Sequence, residues 1–133
     1  MHLPPNWPIS DEAFKDECNY WPIRLLKVLA RFPHHFKTWL YWGHTIPNGN
    51  PPEPYSANTK LNCALLIPSI LTPKDFFSLH VDNNKEVKFF AVTPIYTEEM
   101  DYKLENGHDE LLALFDKEKI SHLLDINRKN VCK

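Results

Sequence analysis

Cys63 and His44 are the two residues of this sequence that could together form a nucleophilic centre. A thiolate nucleophile needs a nearby base and a third group that orients the base. Cys63, however, lies in the alternating apolar stretch Leu61–Ile67. This pattern predicts that its side chain faces a hydrophobic core, where cysteine behaves as a small apolar residue. A small hydrolase or thiol enzyme using Cys63 and His44 is kept as the alternative function.

Other carboxylates and histidines form no pattern specific to catalysis or metal binding. Glu98, Glu99 and Asp101 fall where a helix is predicted to begin, and the helix dipole favours acidic residues in a first turn. His34 and His35 are adjacent and point apart, and neither Cys-x-x-Cys nor His-x-x-x-His occurs. With three glycines in the chain, a glycine-rich phosphate loop is excluded. We therefore expect no catalytic residue, no metal and no cofactor.

The segment from Trp42 to Tyr55 is the strongest candidate for a recognition surface. It contains an Asn-Gly turn and four prolines, with aromatic residues at both ends. Because proline restricts the backbone, such a loop loses little conformational entropy when it binds. The segment predicts a stiff protein-binding loop, although a rigid connector with its aromatic side chains in the core would have the same composition. The candidate contact residues are Trp42, His44, Pro47, Asn48, Pro51, Pro52, Glu53 and Tyr55.

One apolar stripe predicts a long first helix ahead of this loop. Ser10 is the expected N-cap, and the helix is predicted to kink at Pro22 and to end before Pro33. The stripe has helical spacing throughout and consists of Phe14, Cys18, Trp21, Leu25, Val28 and Phe32.

The rest of the chain predicts strands followed by helices. Leu61–Ile67 is apolar on both faces, which is typical of a central strand. The chain from Asp125 onward is predicted to be an exposed tail. The order of elements predicts an α+β fold, with helices packed on a mainly antiparallel sheet. The other predicted elements are a strand at Thr38–His44, a hairpin of Leu79–Val81 with Val87–Val92, a helix from Thr97 to Gly107, a helix from about Asp109, and a short apolar element at 120–124.

Length and charge fit one domain spanning residues 1–133. The formal net charge is -2 and no dense basic patch occurs, so a nucleic-acid partner is not expected. No stretch is apolar enough for a membrane span or a signal peptide, which predicts a cytoplasmic protein. The three cysteines lack a close pairing and fit free thiols in a reducing compartment.

Several strings of the chain resemble the suppressor-of-fused (SuFu) domain family in its bacterial form. The most specific is Gly-His-Thr-x-Pro-Asn-Gly-x-Pro-Pro, which begins at Gly43. The resemblance covers essentially the whole chain, in the family's order. The matching strings are Tyr20–Lys27, Ala30–His34, Thr38–Leu40, Gly43–Pro54, Ala64–Pro68, Phe89–Tyr96, Glu98–Asp101 and Asn130–Val131.

The resemblance implies an α/β sandwich-like domain that lacks the usual N-terminal part of the family's domain. That part precedes a Leu-Pro-x-x-Trp stretch, which this chain retains at Leu3, Pro4 and Trp7. The resemblance also implies a non-enzymatic protein-binding module, with an immunity protein that neutralises a polymorphic toxin as the specific candidate. Since a missing strand leaves an unpaired sheet edge, we further expect a homo-oligomer formed through that edge.

Overall fold

The computed structural model describes residues 1–133 and contains a three-stranded antiparallel sheet, a separate two-stranded hairpin and three α-helices. The strand Cys63–Ile67 lies in the middle of the three-stranded sheet, between Thr45–Pro47 and Ala91–Ile95, whereas the hairpin pairs with no other strand. This arrangement confirms the predicted α+β class with an antiparallel sheet. The helices are α1 (Glu17–Phe36), α2 (Thr97–Asn106) and α3 (His108–Lys117), and the strands are β1 (Thr45–Pro47), β2 (Cys63–Ile67), β3 (Ser78–Asp82), β4 (Lys85–Lys88) and β5 (Ala91–Ile95). No helix combines the length and the apolar character needed to cross a membrane.

β2 is the central strand, as its two-sided apolar pattern predicted, and all five of its residues are buried. Successive side chains of a strand point to opposite faces, so β2 contributes to two apolar layers. Ala64 and Leu66 pack in the layer that contains Trp21, Leu25 and Leu29 of α1. Cys63, Leu65 and Ile67 pack with Leu111 and Phe115 of α3. The sheet therefore lies between α1 on one face and α3 on the other.

The start of α1 differs from the prediction. Asp16 is the N-cap, because its carboxylate accepts a hydrogen bond from the backbone N–H of Cys18 at 2.9 Å. Ser10 instead accepts from the N–H of Ala13, the first residue of a short 3₁₀ helix that precedes α1. The stripe also shifts by one residue, since Leu29 is buried and Val28 is exposed.

Both prolines lie inside α1. The missing N–H of Pro22 leaves the carbonyl of Cys18 without its usual helical partner. The side-chain amide of Asn58 donates to that carbonyl at 3.1 Å, so a polar contact from outside replaces the helical one. Pro33 does not end the helix, which continues to Phe36 and stops at Lys37, where the backbone is left-handed with φ +50°.

The predicted strand Thr38–His44 is wrong, and a short strand forms directly after it. Thr45 of β1 lies opposite Leu65 of β2, and Pro47 lies opposite Cys63. The N–H of Asn48 donates to the carbonyl of Asn62, so alternate residues Thr45 and Pro47 direct their backbone groups away from β2. Proline is tolerated here because its missing N–H would face outward from an edge strand.

The predicted hairpin is present, but its second strand is split between two sheets. β4 ends at Lys88 and remains paired with β3. After Phe89 and Phe90, the chain enters β5, which pairs with β2 from Ala91 opposite Ile67 to Ile95 opposite Cys63. Val92 therefore belongs to the central sheet and not to the hairpin.

The C-terminal residues are not an exposed tail. Leu124 and Arg128 are both buried, and the N–H of Leu124 donates to the carbonyl of His2 at 2.8 Å. The two ends of the chain are thereby joined beside β5. Gly107, with φ +94°, separates α2 from α3, as the sequence predicted for the end of α2.

Candidate functional site

The Pro-rich loop, residues 42–55, contains β1 and then a turn held together by Asn48. The backbone carbonyl of Asn48 accepts from the N–H of Glu53 at 2.8 Å, and its side-chain amide donates to the carbonyl of Glu53 at 2.7 Å. Gly49 lies within this turn at φ +96°, where a side chain would be strained, and the Asn50–Pro51 peptide bond is cis. Pro51 and Glu53 are exposed at the tip and Pro52 is half-buried. Asn48 is therefore the internal brace that shapes the turn.

Tyr55 lies in the core, in contrast to its predicted place on the contact surface. Only 3% of the residue is exposed, and its ring stacks on Trp21 with centroids 5.2 Å apart and an interplanar angle of 2°. Arg24 donates to the carbonyl of Tyr55 at 2.7 Å, which fixes the end of the loop to α1. The structure thus removes Tyr55 from the contact set, because its ring has no free surface.

Trp42 packs against the start of α3. Its ring meets the ring of His108 edge-on, with centroids 4.3 Å apart, and 37% of the residue remains exposed. Gly43 makes this approach possible, since a Cβ atom there would lie 3.1 Å from Nδ1 of His108. Trp42 is therefore an accessible but anchored residue.

His44 and Pro47 lie together in a groove of about 730 Å³ between the end of α1, the edge strand β1 and α2, which we name the α1–β1–α2 groove. Three large apolar side chains that line this groove are exposed to solvent: Phe36 is 61% exposed, and Trp39 and Leu104 are each 65% exposed. The Trp39 ring lies 4.7 Å from that of His44, whose Nδ1 accepts from the N–H of Tyr41. The lining also includes Phe32, Thr38, Leu40, Thr45, Ile46, Gly49, Asn50 and Lys103.

Cys63 and His44 are not brought together. Cys63 is fully buried in the layer beneath α3, and this burial raises the pKa of its thiol to about 11. The carbonyl of His44 accepts from the N–H of Leu66 at 3.0 Å, so these two residues are cross-strand neighbours. Leu66 belongs to the apolar layer that packs against α1. The two residues therefore belong to opposite faces of the sheet. A protonated thiol without an adjacent base does not make a nucleophilic centre.

Glu99 and Arg128 form a buried ion pair that the sequence did not reveal. Arg128 donates to both carboxylate oxygens of Glu99, at 2.7 and 2.5 Å, and also to the carbonyl of Pro94. Glu99 further accepts from the N–H groups of Tyr96 and Val131. Every contact of this carboxylate holds α2 or the C-terminal segment in place, so its role is structural. A glutamate at the third position of a helix is a capping signal, but nothing in the sequence pointed to Arg128 as its partner.

A second groove, of about 490 Å³, lies between the β3–β4 hairpin and the N-terminus. It is lined by Met1, His2 and several apolar residues within or next to the hairpin, of which Phe76, Leu79 and Phe89 are at least half exposed. No group of three or more His, Cys, Asp or Glu residues is arranged to hold a metal ion. The structure therefore offers two apolar surfaces at which another molecule could bind.

Comparison with known proteins gives one family and two solved structures. The family model "Suppressor of fused protein (SUFU)" matches residues 1–129. The chain is similar to a suppressor of fused homologue from Neisseria gonorrhoeae FA 1090, with 25% identity and a TM-score of 0.65 over 84% of this chain and 56% of that one. It has the same fold as a chain of the Sufu–Fu complex, with 13% identity and a TM-score of 0.65 over 98% of this chain and 63% of that one. The chain thus spans less than two thirds of either structure's chain, and no curated protein matches it.

Proposed function

Because the chain belongs to the suppressor of fused family, we propose that it is a non-enzymatic protein-binding module whose contact surface is the Pro-rich loop and the adjoining α1–β1–α2 groove. The solved Sufu–Fu complex supports this proposal, since there a protein of the same fold is bound to another protein. The observation that carries the proposal is the groove itself. Large apolar side chains left open beside a braced loop are typical of a protein-interaction surface.

The proposed contact residues are those of the loop that keep an accessible side chain. Pro51, Pro52 and Glu53 would meet the partner at the tip of the turn, whereas His44 and Pro47 would meet it inside the groove. Trp42 would contribute its open edge beside α3. Asn48 supports this surface from within the turn, and Tyr55 supports it from the core.

The specific partner we propose is a toxin, which the chain would neutralise by binding it in the cytoplasm. An immunity protein needs a surface for capture and no catalytic centre, and the groove with its braced loop meets that requirement. All three cysteines are free, which suits a reducing compartment. We propose neither a nucleic acid nor a membrane as a partner.

Capture from the organism that encodes the chain tests the proposal. The tagged chain should retain one specific protein, and the products of neighbouring genes should be tested individually for direct binding. Trp42→Ala and His44→Ala should weaken binding at least tenfold, because both side chains lie on the proposed surface. Leu79→Ser, on the hairpin surface, is the matched control and should bind as the unaltered chain does. Undiminished capture by both loop variants would remove the loop from the contact surface.

A further inference from the structure

Charge is distributed unevenly along the chain. Most of the α1–β1–α2 groove is formed by a segment that contains basic residues but no acidic ones. Residues 18–52 include four lysines or arginines and three histidines but no aspartate or glutamate. Arg31 and Lys37, in and after the last turns of α1, form no ion pair within the protein. The small net charge of the whole chain therefore conceals a positive segment that supplies most of the groove wall.

Lys103 is the one formally charged residue in the groove wall. It stands on α2 next to Leu104 and is half-buried, and desolvation lowers the pKa of its ammonium group. The ammonium makes neither an ion pair nor a side-chain hydrogen bond within the protein. The other two lysine or arginine residues that are not exposed, Arg24 and Arg128, are both paired. No carboxylate lines the groove. A partly desolvated, unpaired cation gains most from a carboxylate supplied by another molecule.

The apolar wall lies close to this cation. Phe36, Trp39 and Leu104 leave most of their surface open, and the groove of about 730 Å³ that they line is large enough for several side chains of an extended peptide. Within the chain, the apolar wall is not covered by other side chains and the lysine has no counterion. Together they specify a ligand that is apolar and acidic over a short stretch.

We propose that the α1–β1–α2 groove binds an acidic segment of the partner protein, in which an aromatic or aliphatic side chain is flanked by a carboxylate. This inference rests on the proposed protein-binding function and adds the chemistry of the partner. The apolar side chain lies between Phe36, Trp39 and Leu104, and the carboxylate reaches Lys103. The positive charges of Arg31 and Lys37 attract the same segment at longer range.

A protein segment fits this surface better than a nucleic acid does. Binding a phosphate backbone takes a series of cations along a groove, together with aromatic residues on which bases stack. The groove wall offers one lysine, and the chain as a whole is slightly acidic. A single cation beside a broad apolar wall matches one carboxylate next to one apolar anchor.

Anisotropy of fluorescein-labelled peptides tests the proposal. The probe is Asp-Phe-Asp-Leu-Asp with blocked ends, and the matched control replaces each aspartate by asparagine. We expect the full-length chain to bind the acidic peptide at least tenfold more tightly at 50 mM NaCl, with a smaller preference at 500 mM because salt screens charge. Lys103→Met keeps the apolar stem and should reduce the preference to less than threefold. Lys85→Met, at the exposed first position of β4, should leave the preference unchanged.

Three outcomes would overturn the inference: equal binding of the two peptides, no binding of either, or tighter binding of an oligothymidylate than of the acidic peptide. The proposed function is decided separately, by capture of the natural partner. If the partner is captured equally well by the unaltered chain and by Lys103→Met, the protein-binding function stands and the acidic specificity fails. If no partner is captured and the peptides do not bind, both proposals fail.

Discussion

At the scale of single residues, the interior contains one fully buried carboxylate, that of Glu99, and its charge is balanced by Arg128. A buried ion pair does not necessarily stabilise a protein relative to an apolar pair, but one charge left alone in the interior is strongly destabilising. Here the pair also joins α2 to the C-terminal segment, 29 residues further along the chain. The hydroxyl of Tyr96 and the side chain of Asn130 also hold this segment, so the pair is one of several contacts that position it.

Arg128→Met should lower the free energy of unfolding by about 3–5 kcal/mol, since it leaves Glu99 buried without a counterion. Urea denaturation monitored by tryptophan fluorescence measures this loss. The double variant Glu99→Met/Arg128→Met should recover most of it, because no charge then remains in the interior. Lys117→Met, an exposed lysine without an ion pair, is the control and should change stability by less than about 0.5 kcal/mol. A loss in the double variant as large as in Arg128→Met would contradict the explanation.

The Cys63 thiol should make stability fall at alkaline pH. Its pKa is about 11 in the folded chain and about 9.0 in the unfolded chain, because burial favours the neutral thiol. Between these values the unfolded state releases a proton that the folded state retains, so raising the pH favours unfolding. Thermal unfolding from pH 7.5 to 10.5 should therefore show a steeper decline for the unaltered chain than for Cys63→Ala. Identical pH dependence of the two proteins would contradict the burial of an uncharged thiol at this position.

At the scale of elements, β1 and the turn that follows it form one braced unit. The turn closes through the two hydrogen bonds between Asn48 and Glu53, while β1 fixes its start to β2. The other end is fixed by Tyr55, stacked on Trp21 of α1. A loop held at three places presents its tip in one conformation, which lowers the entropy lost on binding.

Asn48→Ala should loosen the turn without unfolding the chain. Removing the side-chain bond to the carbonyl of Glu53 should cost about 1 kcal/mol. Amide exchange at Glu53, followed by NMR, should then accelerate about fivefold, while the amides of β2 exchange as before. Asn83→Ala, in the exposed β3–β4 turn, should leave Glu53 unchanged. Equal exchange of Glu53 in both variants would show that the Asn48 side chain does not brace the loop.

At the scale of the whole molecule, the β3–β4 hairpin is separate from the central sheet. It pairs with no other strand, and Leu79, Val81 and Phe89 are each at least half exposed. An isolated two-stranded sheet is marginally stable in water, and its open edges can pair with another chain. We therefore propose that two copies of the chain associate through an open edge of this hairpin. The predicted homo-oligomer would then form at this edge.

Multi-angle light scattering after gel filtration, from 5 to 500 µM, tests self-association. The unaltered chain, with a monomer mass of 15.6 kDa, should approach a dimer mass as its concentration rises. Val81→Lys should remain a monomer, because a charged residue on an edge strand opposes pairing. Lys117→Glu, on the exposed face of α3, alters charge away from the hairpin and serves as the control. A constant monomer mass of the unaltered chain would refute the proposal.

Local sequence patterns predicted the elements in which all residues on one face have the same surroundings. The apolar residues of β2 on both of its faces predicted a central strand, and the spacing of Leu111 and Phe115 predicted the buried side of α3. Gly107 marked the end of α2 because glycine adopts positive φ without strain. The family strings were likewise visible in the sequence, and the match over residues 1–129 confirms the resemblance, although the string Asn130–Val131 lies beyond it. In each case the signal lies within a few neighbouring residues.

Only the tertiary structure decided which distant residues share an environment. Pro33 predicted the end of a helix, but α1 continues through it. Pro47 predicted a loop, but it lies in an edge strand, where its missing N–H would face outward. Tyr55 entered the core because Trp21 offers it a stacking partner, and Arg128 did so because Glu99 neutralises it. The groove joins Trp39 to Leu104, which are 65 positions apart along the chain. Local periodicity carries no information about such pairs, because burial and charge compensation depend on which elements pack together.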